Sequence, residues 1–525
     1  MKNSLLSAFT LTGIAFLALF VGVLSKSGQE VHAAADSGSP LCSMPADASS
    51  PWLPKTPEPE ETDIPAPRPA SDCGFYRPAW QRFLVATQPT SDGPAFLTYP
   101  SFDEIFTPST VIAERVTPRE PLVLSLTPRN IERPNKAKKK LQELLDQTQA
   151  GLFGAAGGVL IDQHGRFIYY AIHVNPAFIS FLRNHHLTTL DGLNQIDKNL
   201  TFLDPSGSSA PSVMELKSAW MIVANKEAAP SYFVVPATVQ RYTVTNGSLV
   251  PELDKNTQKP VFDNVWAALI AIHVVFTLPG HPEMIWSTFE HVHVDSKGDA
   301  IRDNAPAALF NPSKTVPGTG ISTEDFPLYK AGTTAANANK PIDKTVLAQH
   351  WDSGTQSFTR GGTLQTSVYR PYPGSKSDGK ESKDSAEDDE VILINKNAAK
   401  MFSDAKGRGL INDSDLRQNY RLVGAVWLND PLLGPKATFK VGQPFTNPIN
   451  QTTDQPDAEL AGEGRLGSTA MESFTEFEEG APNCFSCHDT QAVRGRTGKT
   501  LLPPALLNVS HVMSRFKDLQ PAANQ

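Results

Sequence analysis

The sequence predicts an α+β fold: a β-rich body with a small C-terminal helical segment packed against it. Three observations carry that expectation. Between about residues 75 and 450, strand-like stretches rich in β-branched and aromatic residues outnumber stretches with helical spacing. Prolines, 43 in all, punctuate these stretches throughout, which suits short strands and turns better than long helices. After residue 450 a polar, Gly- and Pro-rich join leads into a short cysteine-bearing region. No internal repeat is present.

The first element is the N-terminus, "MKNSLLSAFTLTGIAFLALFVGVLSKSGQEVHAAADSG". Lys2 supplies a positive n-region, Leu5 to Leu24 form an apolar run, and Ala33, Ala34 and Ala35 suit a signal peptidase. Residues 1–35 therefore read as a signal peptide. The other reading is a retained anchor, since about 20 apolar residues can also span a bilayer. No cysteine directly follows the run, which argues against a lipoprotein. No later stretch is as long and apolar, so no membrane span is expected once the signal is removed. Both readings place the protein outside the cytoplasm.

Removing residues 1–35 deletes Lys2, Lys26 and Glu30 and moves the formal charge from −8 to −9. An acidic chain without basic clusters argues against a nucleic-acid partner. A redox partner protein with a basic docking face suits it better.

Residues 36–74 form a Pro-rich segment. Its cysteines, Cys42 and Cys73, are most simply a disulfide in an oxidising compartment. The bridge would staple "PWLPKTPEPEETDIPAPRPAS" and, by the chain-entropy argument, stabilise by about 3.5 kcal/mol.

The body, 75–450, comes next. "NKAKKKLQELLDQTQAG" has the apolar spacing and terminal glycine of a helix of about four turns. "GGVLIDQHGRFIYYAIHVN" reads as a β-hairpin turning at Asp162 to Gly165. "VMELKSAWMIV", "SYFVVPATVQRYTV", "VWAALIAIHVVFTL" and "YRLVGAVWL" are further strands. "GSKSDGKESKDSAEDDE", 374–390, has no apolar anchor and is expected to be a mobile charged loop within the body.

The polar join "NPINQTTDQPDAELAGEGR", 447–465, leads into the final segment, 451–525, which carries "NCFSCHDT". Cys484 and Cys487 are half of the four cysteines in the chain, and His488 follows at once. A thioredoxin-like dithiol would sit at the start of a helix early in a βαβ unit, and this pair lies near the C-terminus. A structural zinc site needs four ligands, usually from a second cysteine pair, and none exists. C-x-x-C-H is the attachment signature of c-type haem: two thioethers tether the porphyrin and the adjacent imidazole reaches the iron. Such attachment occurs in exported proteins, which the N-terminus independently requires. The expectation is therefore one covalent haem c on Cys484, Cys487 and His488. Just upstream, "STAMESFTEFEEG" carries a capping-box pattern, Thr469 with Glu472, and an apolar stripe of Met471, Phe474 and Phe477. It predicts a short helix leading into the haem segment.

"NCFSCH" with a following "SH", "STAMESF" ahead of it, and "MIWSTFEHV" and "YRLVGAVWLNDP" upstream resemble the large single-haem cytochrome c family proteins of Gram-negative bacteria. The resemblance runs from about Gly151 to Phe516. It implies an exported haem protein and names no reaction.

The sixth iron ligand has two candidates in "PPALLNVSHVMSRF", His511 and Met513. On a helix, residues two apart point about 200° away from each other, so both cannot face the iron. Helical periodicity groups Met513 with Leu506, Val509 and Phe516, whereas the family's "SH" favours His511. Another residue, or an open position, remains the third alternative.

"FEHVHVD" sets His291 and His293 at strand spacing, both on one face, with Glu290 and Asp295 nearby. Such a pattern opens some metal sites or could lie beside the haem edge, and is more often a pair of half-exposed strand histidines. His273 and His281 carry only a packing role. Arg494, Arg496 and Lys499 could pair with haem propionates or simply line a solvated loop. No Ser-His-Asp pattern, phosphate loop or paired carboxylates specify a hydrolase or transferase, so no catalytic residue is named. The functional expectation is one-electron transfer by an exported single-haem c-type cytochrome. The alternative is a haem-dependent oxidoreductase whose β-rich body binds a substrate, since simple carriers seldom need so much extra chain.

Overall fold

The strand stretches of the sequence assemble into one sheet built around a single long strand. The computed structural model describes residues 40–44, 53, 71–101, 122–126, 158–188, 212–278, 281–294, 300–302, 304–306, 319–370, 389–428, 460–462, 466–474, 484, 493–494 and 500–502. All belong to one compact unit spanning 39–525. The main strands are β1 (Leu122–Leu124), β2 (Tyr169–Val174), β3 (Met214–Val223), β4 (Val234–Gln240), β5 (Phe262–Leu278), β6 (His281–His291), β7 (Tyr420–Leu428) and β8 (Leu460–Gly462). The helices are α1 (Cys73–Ala86), α2 (Pro176–Asn184), α3 (Lys344–His350) and α4 (Asp389–Gly407). The α+β expectation holds, with the body richer in strand than in helix.

β5 has 17 residues and serves two sets of neighbours. One edge pairs antiparallel with β3; the other pairs with β4 over its first half and β6 over its second. β3 continues to β2, and β4 to β1, the latter pair parallel. Ser125, directly after β1, donates its N–H to Tyr170 O at 3.0 Å and accepts from Tyr170 N–H at 2.8 Å. Those two bonds close a ring of five strands, β1–β4–β5–β3–β2. From β5 the sheet also extends outward through β6, β7 and β8. Closing the ring satisfies edges that would otherwise stay unpaired.

One face of the sheet carries the larger core, with Leu124, Tyr169, Leu216, Trp220, Val235 and Leu269 pointing into it. α1 and α4 cover this face over the extension. Phe75 stacks on Trp427 at 4.1 Å between ring centroids, and Phe83 on Phe289 at 4.3 Å. α1 is buried at every position except Arg77, and it tolerates Pro78 within its second turn. The disulfide expected from the sequence forms: Cys42 and Cys73 have a Cα–Cα distance of 5.1 Å, and their bridge anchors the start of α1. Beside it the Cys73 amide donates to Glu390 Oε2 at 3.0 Å, so the N-terminal segment is tied to α4 as well.

Two sequence expectations change. The charged stretch 374–390 does not stay a loop to its end, because Asp389 and Glu390 open α4. Its buried residues Val391, Ile394, Ala398, Met401 and Ala405 recur every three or four positions, the spacing of an amphipathic helix. The second change is "STAMES": residues 469–474 are turns and bends, not helix, and residues 475–480 of the expected helix lie outside the described residues. The predicted helix of "NKAKKKLQELLDQTQAG" lies outside the described residues. Among the described residues no helix is long and apolar enough to cross a membrane.

Candidate functional site

The opposite face of the sheet does not follow the rule for a core. The register sets Lys217 of β3, His273 of β5 and Thr288 of β6 side by side, and one pleat along sets Ala219, Ala271 and Glu290. A face that is buried and yet carries Lys, His and Glu must supply each with partners, because an unpaired buried charge is too costly to keep.

Those partners come from residues 466–474. Glu290 is fully buried, and its carboxylate accepts from Ser468 Oγ at 2.9 Å, Thr469 N–H at 2.8 Å, Thr469 Oγ1 at 2.9 Å and Arg370 Nη2 at 2.6 Å. Glu472 Oε1 pairs with Lys217 Nζ, and Oε2 lies 3.0 Å from His273 Nε2. The other ring nitrogen of His273, Nδ1, is 2.8 Å from Thr288 Oγ1. Tyr170 donates its hydroxyl to Ala470 O at 2.9 Å. Ala470, Met471 and Phe474 then fill a second core with Leu160, Ile168 and Ile270.

This network explains why Thr469 to Phe474 do not form helix. A capping box would direct Thr469 and Glu472 at each other's backbone amides. Here Thr469 bonds to Glu290 with both N–H and hydroxyl, and Glu472 reaches the sheet instead. Charge-assisted bonds to buried partners outweigh a local cap worth about 1 kcal/mol.

Burial alone would raise the Glu472 carboxyl; the neighbouring Lys217 charge and His273 overcome it and pull the carboxyl down to about 2. Glu472 is therefore ionised at neutral pH. His173 on β2 is governed by burial alone, which lowers its imidazole to about 4, and its Nδ1 has no hydrogen-bond partner. It rests edge-on against Phe96.

Of the sequence-predicted ligands, only Cys484 is among the described residues, and it is half-buried. Cys487, His488, His511 and Met513 lie outside them, as do Arg496 and Lys499. Arg494 sits in a two-residue strand paired with Thr500–Leu502. His291 and His293 fall in different strands: β6 ends at His291, and His293 begins a separate pairing with Arg302. His291 Nε2 is 3.1 Å from Ser231 O, and its ring stacks on Tyr232 at 3.4 Å. Among the described residues no group of three or more His, Cys, Asp or Glu side chains is arranged to hold a metal ion.

Cys42 and Cys73 are bonded to each other, so neither is available to Cys484 or Cys487. The polar network itself was not legible as a site. Glu472 finds Lys217 at a separation of 255 residues and His273 at 199. The available signal was Glu215 and Lys217 alternating with apolar residues inside "VMELKSAWMIV", which marks one face of that strand as something other than plain core. No family model, curated protein or solved structure matches the chain.

Proposed function

We propose that this chain is an exported, periplasmic c-type cytochrome with a single haem, passing one electron at a time to or from a redox partner protein. The observation that carries the reading is the Cys484-x-x-Cys487-His488 spacing in a chain with an export signal. Its likeness to the large single-haem cytochrome c proteins of Gram-negative bacteria points the same way. When bound, the haem supplies a one-electron couple at its iron. The chain's own part is to tether through the Cys484 and Cys487 thiols and ligate through the His488 imidazole. His511, or alternatively Met513, would provide the second axial ligand. Residues 466–474, bonded to Glu290, Lys217, His273 and Tyr170, tie the stretch ahead of the attachment motif in sequence to the sheet.

The second reading is a haem-dependent oxidoreductase whose body binds substrate. The buried Lys217–Glu472–His273 cluster favours it, since an electron carrier has no evident need for acid–base groups there.

Haem staining on a denaturing gel tests the reading. The purified protein should stain, and replacing Cys484 and Cys487 by Ser should abolish the stain. A stain that survives both substitutions, or a wild-type protein exported with the attachment machinery that takes up no haem, removes the proposal. Carbon monoxide added to the reduced protein separates the two functions: an unchanged spectrum supports the carrier, and a shifted one the enzyme.

A further inference from the structure

The hairpin at 158–168 turns on a carboxylate placed where none is needed for a turn in water. Asp162 Oδ1 accepts from His164 N–H and Arg166 N–H, both at 2.8 Å, and the Asp162 N–H donates to Arg166 O at 2.9 Å. Oδ2 is buried and has no hydrogen-bond partner. The whole residue is 2 % exposed.

A clasp holds the hairpin on either side of this residue. Thr366 Oγ1 accepts from Ile161 N–H at 2.9 Å and donates to Ile161 O at 3.0 Å. Phe358 N–H donates to Gly165 O at 2.6 Å. Gly165 has φ +72°, and a Cβ there would stand 2.9 Å from Phe358 O, so the loop 357–366 closes against bare backbone. The arms of the hairpin do other work. Leu160 and Ile168 pack with Ala470, Met471 and Phe474, and a Cβ on Gly158 would lie 3.4 Å from the Phe474 ring.

We propose that Asp162 makes this clasp pH-sensitive: its ionisation loosens the hairpin from loop 357–366, and with it the surface that seats residues 470–474. The inference stands on the hairpin geometry and does not depend on the haem. Desolvation raises the Asp162 carboxyl to about 6, against the lowering effects of Arg166 and His164. Among the described residues Tyr169 on β2 also interacts with it, and burial keeps that phenol neutral. Loop 357–366 contributes the Thr366 hydroxyl, and its one ionisable residue, Arg360, is exposed. A raised carboxyl favours the closed state while protonated. That contribution is complete below about pH 3.8 and is lost as pH rises through about 6.

Hydrogen exchange of the full-length protein, corrected for intrinsic rates, tests it. Opening of the 158–168 amides should rise about tenfold between pH 5 and pH 7.5, as a shift of about two units dictates over that span. Asp162→Asn keeps the Oδ1 acceptor without the charge, so its exchange should stay level over the same range. Asp162→Ser, which keeps a shorter acceptor, serves if the Asn variant does not accumulate. A flat wild-type profile, or the same rise in the variant, overturns the proposal.

Discussion

Arg370 Nη2 stands 2.6 Å from Glu290 Oε2, with the two side chains only 3 % and 0 % exposed. Breaking a buried pair from one side leaves the other charge uncompensated, which typically costs about 3–5 kcal/mol. Glu290→Ala also strips Ser468 and Thr469 of their acceptor. It should therefore lower stability by roughly that amount, read as a fall in the urea midpoint at unchanged m. A loss below about 1 kcal/mol, the scale of an exposed pair, would mean that Arg370 finds water and that residues 466–469 are not held through Glu290.

Glu472 makes an acid prediction. Its carboxyl sits at about 2, below the ordinary 4.5, so the stabilisation it provides is complete above about pH 4.5 and lost as pH falls towards 2. A shift of that size corresponds to about 3 kcal/mol. Lys217→Met removes the main stabilising charge. The variant should be weaker than wild type at pH 7 and closer to it at pH 3. Urea titrations at the two pH values give the difference, and an equal gap at both would show that Lys217 acts by packing alone.

His173 operates in a higher window. Its imidazole is held at about 4 by burial, below the ordinary 6.5, so the folded protein refuses a proton that the unfolded chain accepts. Stability from this group is full above pH 6.5 and falls at about 1.4 kcal/mol per pH unit as pH drops towards 4. His173→Phe should flatten the wild-type decline between pH 6.5 and pH 4.5. A variant with the same slope would assign the decline to other groups.

How much of this was legible depends on where the partners lie. The strands β3, β5 and β7 and the 162–165 turn are written in local alternation and turn residues, and the structure places each where the sequence expects it. α1 was hidden by Pro78, which its buried surroundings tolerate. α4 was hidden by the acidic run that opens it. The capping-box pattern at Thr469 and Glu472 misled, because Glu290, Lys217 and His273 are distant in sequence and no local rule weighs them. The disulfide was legible from cysteine count and compartment alone.

The last prediction concerns the C-terminal segment expressed by itself. Residues 466–474 are buried throughout, and their hydrogen-bond and ion-pair partners are Tyr170, Lys217, His273 and Glu290, all in the body. A fragment of about residues 450–525 lacks every one of these. Met471 and Phe474, which belong to a core shared with Leu160, Ile168 and Ile270, would face water at about 25 cal/mol per Å² of apolar surface. Glu472 would lose the two groups that hold it ionised in the interior. The fragment, produced with the haem-attachment machinery, should then carry haem but fold poorly, with fast amide exchange and a broad thermal transition. The full chain with Cys484 and Cys487 replaced by Ser should keep residues 466–474 protected, because their anchors do not involve the haem. A compact fragment with the ligation spectrum and potential of the intact protein would reverse the conclusion, making the body an independent domain with a function of its own.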